Sequence, residues 1–236
     1  QALVSLSNGI ATNGTFNNAA ILGNGGSNTT ATALIGTSSV TNAAGTNILT
    51  STGNSYTGGN TITGGTLQVA TTSSLGATTN NLSISGNGTL DLQTGTQTQG
   101  NVTVTNGNII SGTLTNSGIT FTGGSNNITA ALAGAGGLTN ASGLTTLTGS
   151  NTYSGGTVVS GGSLYVSGNG TLGSTSGTTT INDSTLDLGT TTQTQALVSL
   201  SNGIATNGTF NNTAILGKGG TNTTATALIG TSSVSN

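Results

Sequence analysis

The chain has 236 residues, of which four are charged: Asp91, Asp183, Asp187 and Lys218. It has 42 glycines and no His, Cys, Met, Trp or Pro, which removes Ser-His-Asp and Cys-His catalysis, imidazole and thiolate metal sites, and disulfides. One cation and a net charge of −2 also exclude nucleic-acid binding by charge and a polybasic membrane anchor.

Apolar residues make up 31% of the chain, against ~45–50% in ordinary globular domains. Disordered chains pair low hydrophobicity with high net charge and abundant Pro, Glu and Lys. Here the polar residues are Thr, Asn and Ser, with Thr and Val favouring strands and Asn and Gly suiting left-handed turn positions. No apolar run approaches the ~20 residues that span a bilayer, so no membrane insertion is expected of this segment. No cationic stretch followed by an apolar one marks a signal peptide. Gln1 stands in mid-repeat, so the chain reads as a piece of something longer.

In chain order the first feature is a repeat. Residues 1–42 return at 195–236, an offset of 194, with differences only at Ala19/Thr213, Asn24/Lys218, Ser27/Thr221 and Thr41/Ser235. The 194 halves, because NSYTGGNTITGGTLQV at 54–69 matches NTYSGGTVVSGGSLYV at 151–166, an offset of 97. TLDL at 89–92 returns at 185–188, and QTQ at 97–99 returns at 193–195.

A finer period of ~24 residues follows the large apolar residues Phe16, Val40, Leu67, Leu90, Leu114, Leu138, Leu164, Leu186, Phe210 and Val234, four to each 97-residue unit. Around them the pattern alternates: Leu67 and Val69 flank Gln68, Leu90 and Leu92 flank Asp91, Leu164 and Val166 flank Tyr165, and Leu186 and Leu188 flank Asp187. Period two puts the aliphatic set on one face and Gln, Asp and Tyr on the other. GG, NG and GN pairs supply turns between the strands. These features predict an all-β parallel β-helix of about ten coils of ~24 residues. It is expected to run as one continuous segment over 1–236, in tandem units 1–98, 99–194 and a partial 195–236.

The segments 54–69 and 151–166, with SLG at 74–76 and TLG at 171–173 following, resemble the autotransporter-associated β-strand repeat of bacterial type V-secreted and giant repetitive surface proteins. The shared part is Asn-x-Tyr-x-Gly-Gly, a Thr/Val strand, then Gly-Gly-(Thr/Ser)-Leu-x-Val. The resemblance implies a right-handed parallel β-helix exposed outside the cell, and it implies no activity and no cofactor.

Asp91 and Asp187 occupy equivalent outward positions four predicted coils apart, about 19 Å, too far for a glycosidase pair at ~5–10 Å. Asp183 falls in a corner, and its counterpart near Gly86 has no acid. Calcium motifs with several carboxylates are absent. The G-x-G-x-x-G match at 168–173 reads as a turn, because no helix follows it. The Asn-x-Thr/Ser triplets at Asn13, Asn87, Asn169 and Asn207 follow from composition. Tyr56, Gly58 and Gly59, with Tyr153, Gly155 and Gly156, read as structural turns in which the tyrosine caps the bend. Tyr165 is the best candidate contact surface, together with Gln68, which stands at the equivalent position of the other unit. An ice-binding array needs a flat, regular Thr row, and the outward series Gln68, Asp91, Thr115, Thr139, Tyr165, Asp187 and Asn211 is irregular.

The expected function is structural: a stiff extracellular stalk or self-associating fibre on the bacterial surface. Its expected partners are further copies of itself, end to end or side by side. The rival readings are an adhesin rod that binds glycans or neighbouring cells and, less favoured, a polysaccharide-processing β-helix enzyme.

Overall fold

A computed structural model describes residues 3–211 and 213–236. These residues form a parallel β-solenoid of about 12 turns without helix. The chain divides into two compact units, residues 1–116 and 117–236.

In the first unit the turns stack in a continuous register. Val4 lies beside Ile21, Ile21 beside Val40, Val40 beside Asn60, Asn60 beside Leu82, and Leu82 beside Val102. The second unit repeats the arrangement through Ile119, Leu138, Thr157, Thr179, Val198, Ile215 and Val234. Every pairing named is parallel, and each step spans 17 to 22 residues, from Leu3↔Ala20 to Asn60↔Leu82.

The expected parallel β-helix is thus present, and its 12 or so turns are close to the ten expected, with steps along this row a little shorter than ~24 residues. Five steps, not four, take the chain from Val4 to Val102 and from Leu138 to Val234, intervals within one residue of the 97-residue repeat. The reason lies in the choice of anchors. Phe16 stacks beside Leu34, Val40 beside Ile21, and Leu67 beside Leu90, so the series mixes neighbours on one face, such as Leu67 and Leu90, with residues of other faces. Period-two alternation says which side of a strand faces inward, but not which face of the coil the strand occupies.

Within each unit stacked aliphatic side chains line the interior. Leu67, Leu90 and Ile109 stack in register in the first unit, as do Leu164 and Leu186 in the second, all with 0% exposure. Such stacks contribute ~1.5–3 kcal/mol for each large aliphatic side chain buried, and each side chain relies on the rung above or below for its cover.

The corners use the left-handed backbone. Asn8, Asn13, Asn18, Asn87, Asn106, Asn202 and Asn207 all have φ between 49° and 63°, a region asparagine tolerates better than other residues with a Cβ. Gly45 has φ 69°, and a Cβ there would collide with the carbonyl of Gly26 on the neighbouring rung. Stacked corners leave no room for a side chain at that point.

Candidate functional site

The tyrosines of the two matching segments are buried side chains inside the coil. Tyr56 is 0% exposed and Tyr153 1%, so they are interior anchors behind the Gly-Gly bends. Gly59 and Gly156 have φ 82° and 81°. The Tyr56 hydroxyl donates to Asn60 Oδ1 at 2.6 Å, and the Tyr153 hydroxyl lies 2.7 Å from Thr157 Oγ1. Burial pushes both phenols well above the ordinary tyrosine range, against the opposing pull of these hydrogen bonds.

Around each tyrosine stands a set of inward amides. Asn60 Nδ2 donates to the Leu75 carbonyl at 3.0 Å and to Gln99 Oε1 at 2.9 Å. Gln97 Oε1 accepts from Leu75 N at 3.0 Å, and Gln97 Nε2 donates to the Ser73 carbonyl at 2.9 Å. In the second unit Gln193 does the same work, accepting from Leu172 N at 3.0 Å and donating to the Gly170 carbonyl at 2.9 Å. The loops around SLG and TLG carry no strand of their own, so the glutamines satisfy backbone groups that a neighbouring strand would otherwise meet. These residues escape a reading based on hydrophobic pattern, because a buried glutamine looks like a surface residue. The available signal was the return of QTQ at 97–99 and 193–195.

Gln68, Asp91, Tyr165 and Asp187 are half-buried, and Asp183 is exposed. Gln68 Nε2 donates to Asp91 Oδ2 at 3.1 Å, and Gln93 donates to the same carboxylate from its side chain at 2.6 Å and its backbone at 3.0 Å. Partial burial opposes charge on Asp91. The Gln93 backbone, the Gln68 and Gln93 amides and the Ser111 hydroxyl outweigh it and hold the carboxyl below its ordinary range. Asp187 accepts from Gly189 N and from Asn207 Nδ2, both at 2.8 Å. Asp91 and Asp187 thus do one job in both units: each carboxylate bonds the backbone N–H two residues on and fixes the following turn. Asp183 accepts from Asn202 Nδ2 at 3.1 Å. Tyr165 is paired in register with Thr146 and Asp187, and its ring leans over Gly189.

The outward rows also differ from the series expected. Gln68 and Asp91 continue to Ile48 and Ile110, whereas Thr139 lies on another face, between Thr120 and Val158. On that other face of the first unit Thr41, Thr61, Ser83 and Thr103 stand in register. Ser85 and Thr105 form a second row two residues along. Beside them Gly58, Gly59, Asn81 and Asn101 help to line a shallow cavity of about 250 Å³. The equivalent face of the second unit is interrupted by Val158.

Residues 44–69 and 142–166 match the family model of the passenger-associated-transport-repeat. These two segments are similar to autotransporter passenger repeats. Each match starts within a long strand, Ser39–Leu49 or Leu138–Leu147, crosses the buried tyrosine, and ends at Val69 or Val166. The repeat implies a passenger region with a β-helix fold, secreted to the cell surface. Neither a curated protein nor a solved structure matches the chain. Among the described residues no helix is long and apolar enough to cross a membrane.

Proposed function

We propose that these passenger repeats act as a non-enzymatic spacer, a stiff cell-surface stalk or fibre whose length is set by the number of units and which associates with further copies of itself. The observation that carries this reading is the register: five parallel steps per 97-residue unit, with interiors filled by stacked aliphatic residues and hydrogen-bonded amides. The carboxylates support it as well, since Asp91 and Asp187 are each occupied in holding a turn. At ~4.8 Å per rung, each added unit lengthens the stalk by about 24 Å. Electron microscopy of chains with two, four and eight units tests this. Contour length should rise in proportion to unit number, and a particle that merely grows rounder contradicts the proposal.

A second reading, adhesion, is favoured by one feature, the neutral polar face of Thr61, Ser83 and Thr103 beside Asn81 and Asn101. Hydroxyl and amide groups without charge suit a neutral glycan or the flank of a neighbouring rod. A neutral-glycan array, run beside sedimentation velocity, separates the two partners. Thr61→Val, which copies Val158, should weaken whichever contact is real.

A further inference from the structure

The two units differ inside the coil around Gly23 and its counterpart Phe121. In the first unit Gly23 pairs with Asn42, Asn28 with Asn47, and Thr30 with Leu49. In the second, Phe121 pairs with Asn140, Asn126 with Thr145, and Ile128 with Leu147. Phe121 thus stands where the first unit has Gly23, Ile128 where it has Thr30, and Thr145 where it has Asn47. All six of these side-chain positions but Gly23 are buried hydrophobic or polar residues with 0% exposure.

The second unit closes its hydrogen bonds. Asn126 Nδ2 donates to Thr145 Oγ1 at 3.3 Å, Thr145 Oγ1 donates to Asn140 Oδ1 at 2.6 Å, and Asn140 Nδ2 donates to the Gly161 carbonyl at 2.7 Å. The first unit keeps only the ends of this chain. Asn28 Nδ2 donates to the Gly25 carbonyl at 3.0 Å and Asn42 Nδ2 to the Gly64 carbonyl at 2.7 Å. Between them Asn42 Oδ1 and both polar atoms of the Asn47 carboxamide have no partner among the described residues. A Cβ on Gly23 would stand 2.8 Å from Asn42 Oδ1 and 3.0 Å from Asn47 Nδ2. Both carboxamides therefore converge on the space that Phe121 fills with a ring in the other unit.

Buried polar atoms without partners are strongly disfavoured. Those gathered here include acceptors and the Asn47 Nδ2 donor, and no ionisable group stands among them, so the site suits neither a cation nor an anion. Water is the ligand that donates and accepts at once, and a buried water needs two to four polar partners. We propose that Asn42 and Asn47, whose carboxamides converge on the missing side chain of Gly23, form an internal hydration site of the first unit. The first unit holds water at this rung, and the second fills the equivalent space with Phe121 and satisfies Asn140 with Thr145.

A crystal structure of the whole chain tests the site directly. Ordered water should lie within hydrogen-bond distance of Asn42 Oδ1 and Asn47, and none should lie beside Thr145. Asn47→Thr, which copies Thr145, should let its hydroxyl donate to Asn42 Oδ1, release that water, and raise the melting temperature by about 2–4 °C. Asn47→Asp serves as the converse variant and should lower it. Either of two results overturns the proposal: Asn47 Nδ2 bonded directly to Asn42 Oδ1 with no water present, or Asn47→Thr melting below the parent chain.

Discussion

Residues 1–42 and 195–236 are nearly the same sequence in two settings, and they are buried on opposite sides. In the first setting Leu34 and Val40 are 0% exposed, whereas their twins Leu228 and Val234 are 37% and 62% exposed. The order reverses at the other edge, where Phe210 and Val198 are fully buried and their twins Phe16 and Val4 are only half-buried. Strand pairing is the same in both, with Val4↔Ile21↔Val40 answered by Val198↔Ile215↔Val234. Backbone register is thus a property of the repeat, while burial is a property of its neighbours. Val40 is covered by the rung of Asn60, and Val198 by the rung of Thr179. A single rung has no core of its own, which is why stability in such architectures is shared between adjacent repeats.

Paired substitutions break or sharpen this comparison. Phe210→Ala should cost ~3–5 kcal/mol and Phe16→Ala distinctly less, as read from denaturant midpoints of the full chain. Leu34→Ala should cost ~2–5 kcal/mol and Leu228→Ala under ~1 kcal/mol. The two pairs must rank in opposite directions along the same sequence. Equal costs within each pair would mean that burial belongs to the segment itself.

The passenger repeats offer a finer contrast. Tyr56→Phe removes the donor to Asn60 Oδ1 and should cost ~1–3 kcal/mol. Tyr153→Phe should cost less, because the Thr157 hydroxyl can turn to the Leu172 carbonyl, now 3.4 Å away. Thermal melts of the two variants decide this. The smallest effect concerns Asp91, whose carboxyl is held below its ordinary range in the folded chain. Its contribution is present above the unfolded-state value and is lost as pH falls through the folded one, so stability should decline in acid. Asp91→Asn should flatten that acid limb slightly, in a series of melts at falling pH.

Much of this arrangement was legible beforehand. The Leu-x-Val and Leu-x-Leu alternation placed Leu67, Val69, Leu90, Leu92, Leu164, Val166, Leu186 and Leu188 inside, and all are buried. Rung length was not legible, because Phe16, Val40 and Leu67 lie on different faces of the coil and their spacing mixes whole rungs with fractions. Nor were the inward amides. Asn60, Gln97, Gln99 and Gln193 are nearly inaccessible, yet polarity alone assigns such residues to the surface. Their burial depends on unmet backbone groups in loops of the neighbouring rung, a three-dimensional fact with no local signature. Gln68 illustrates the reverse, a residue correctly placed outward whose amide is engaged by Asp91.

The absence of cysteine allows a direct test of in-register stacking, the claim on which the account rests. Spin labels on cysteines introduced in pairs at Thr41 with Thr61, Ser83 or Thr103 sample one, two and three rungs of one face. Parallel stacking predicts interspin separations that grow in even steps of about 4.8 Å, with dipolar broadening weakening in that order. Separations that fail to increase from Thr61 through Ser83 to Thr103 would contradict it.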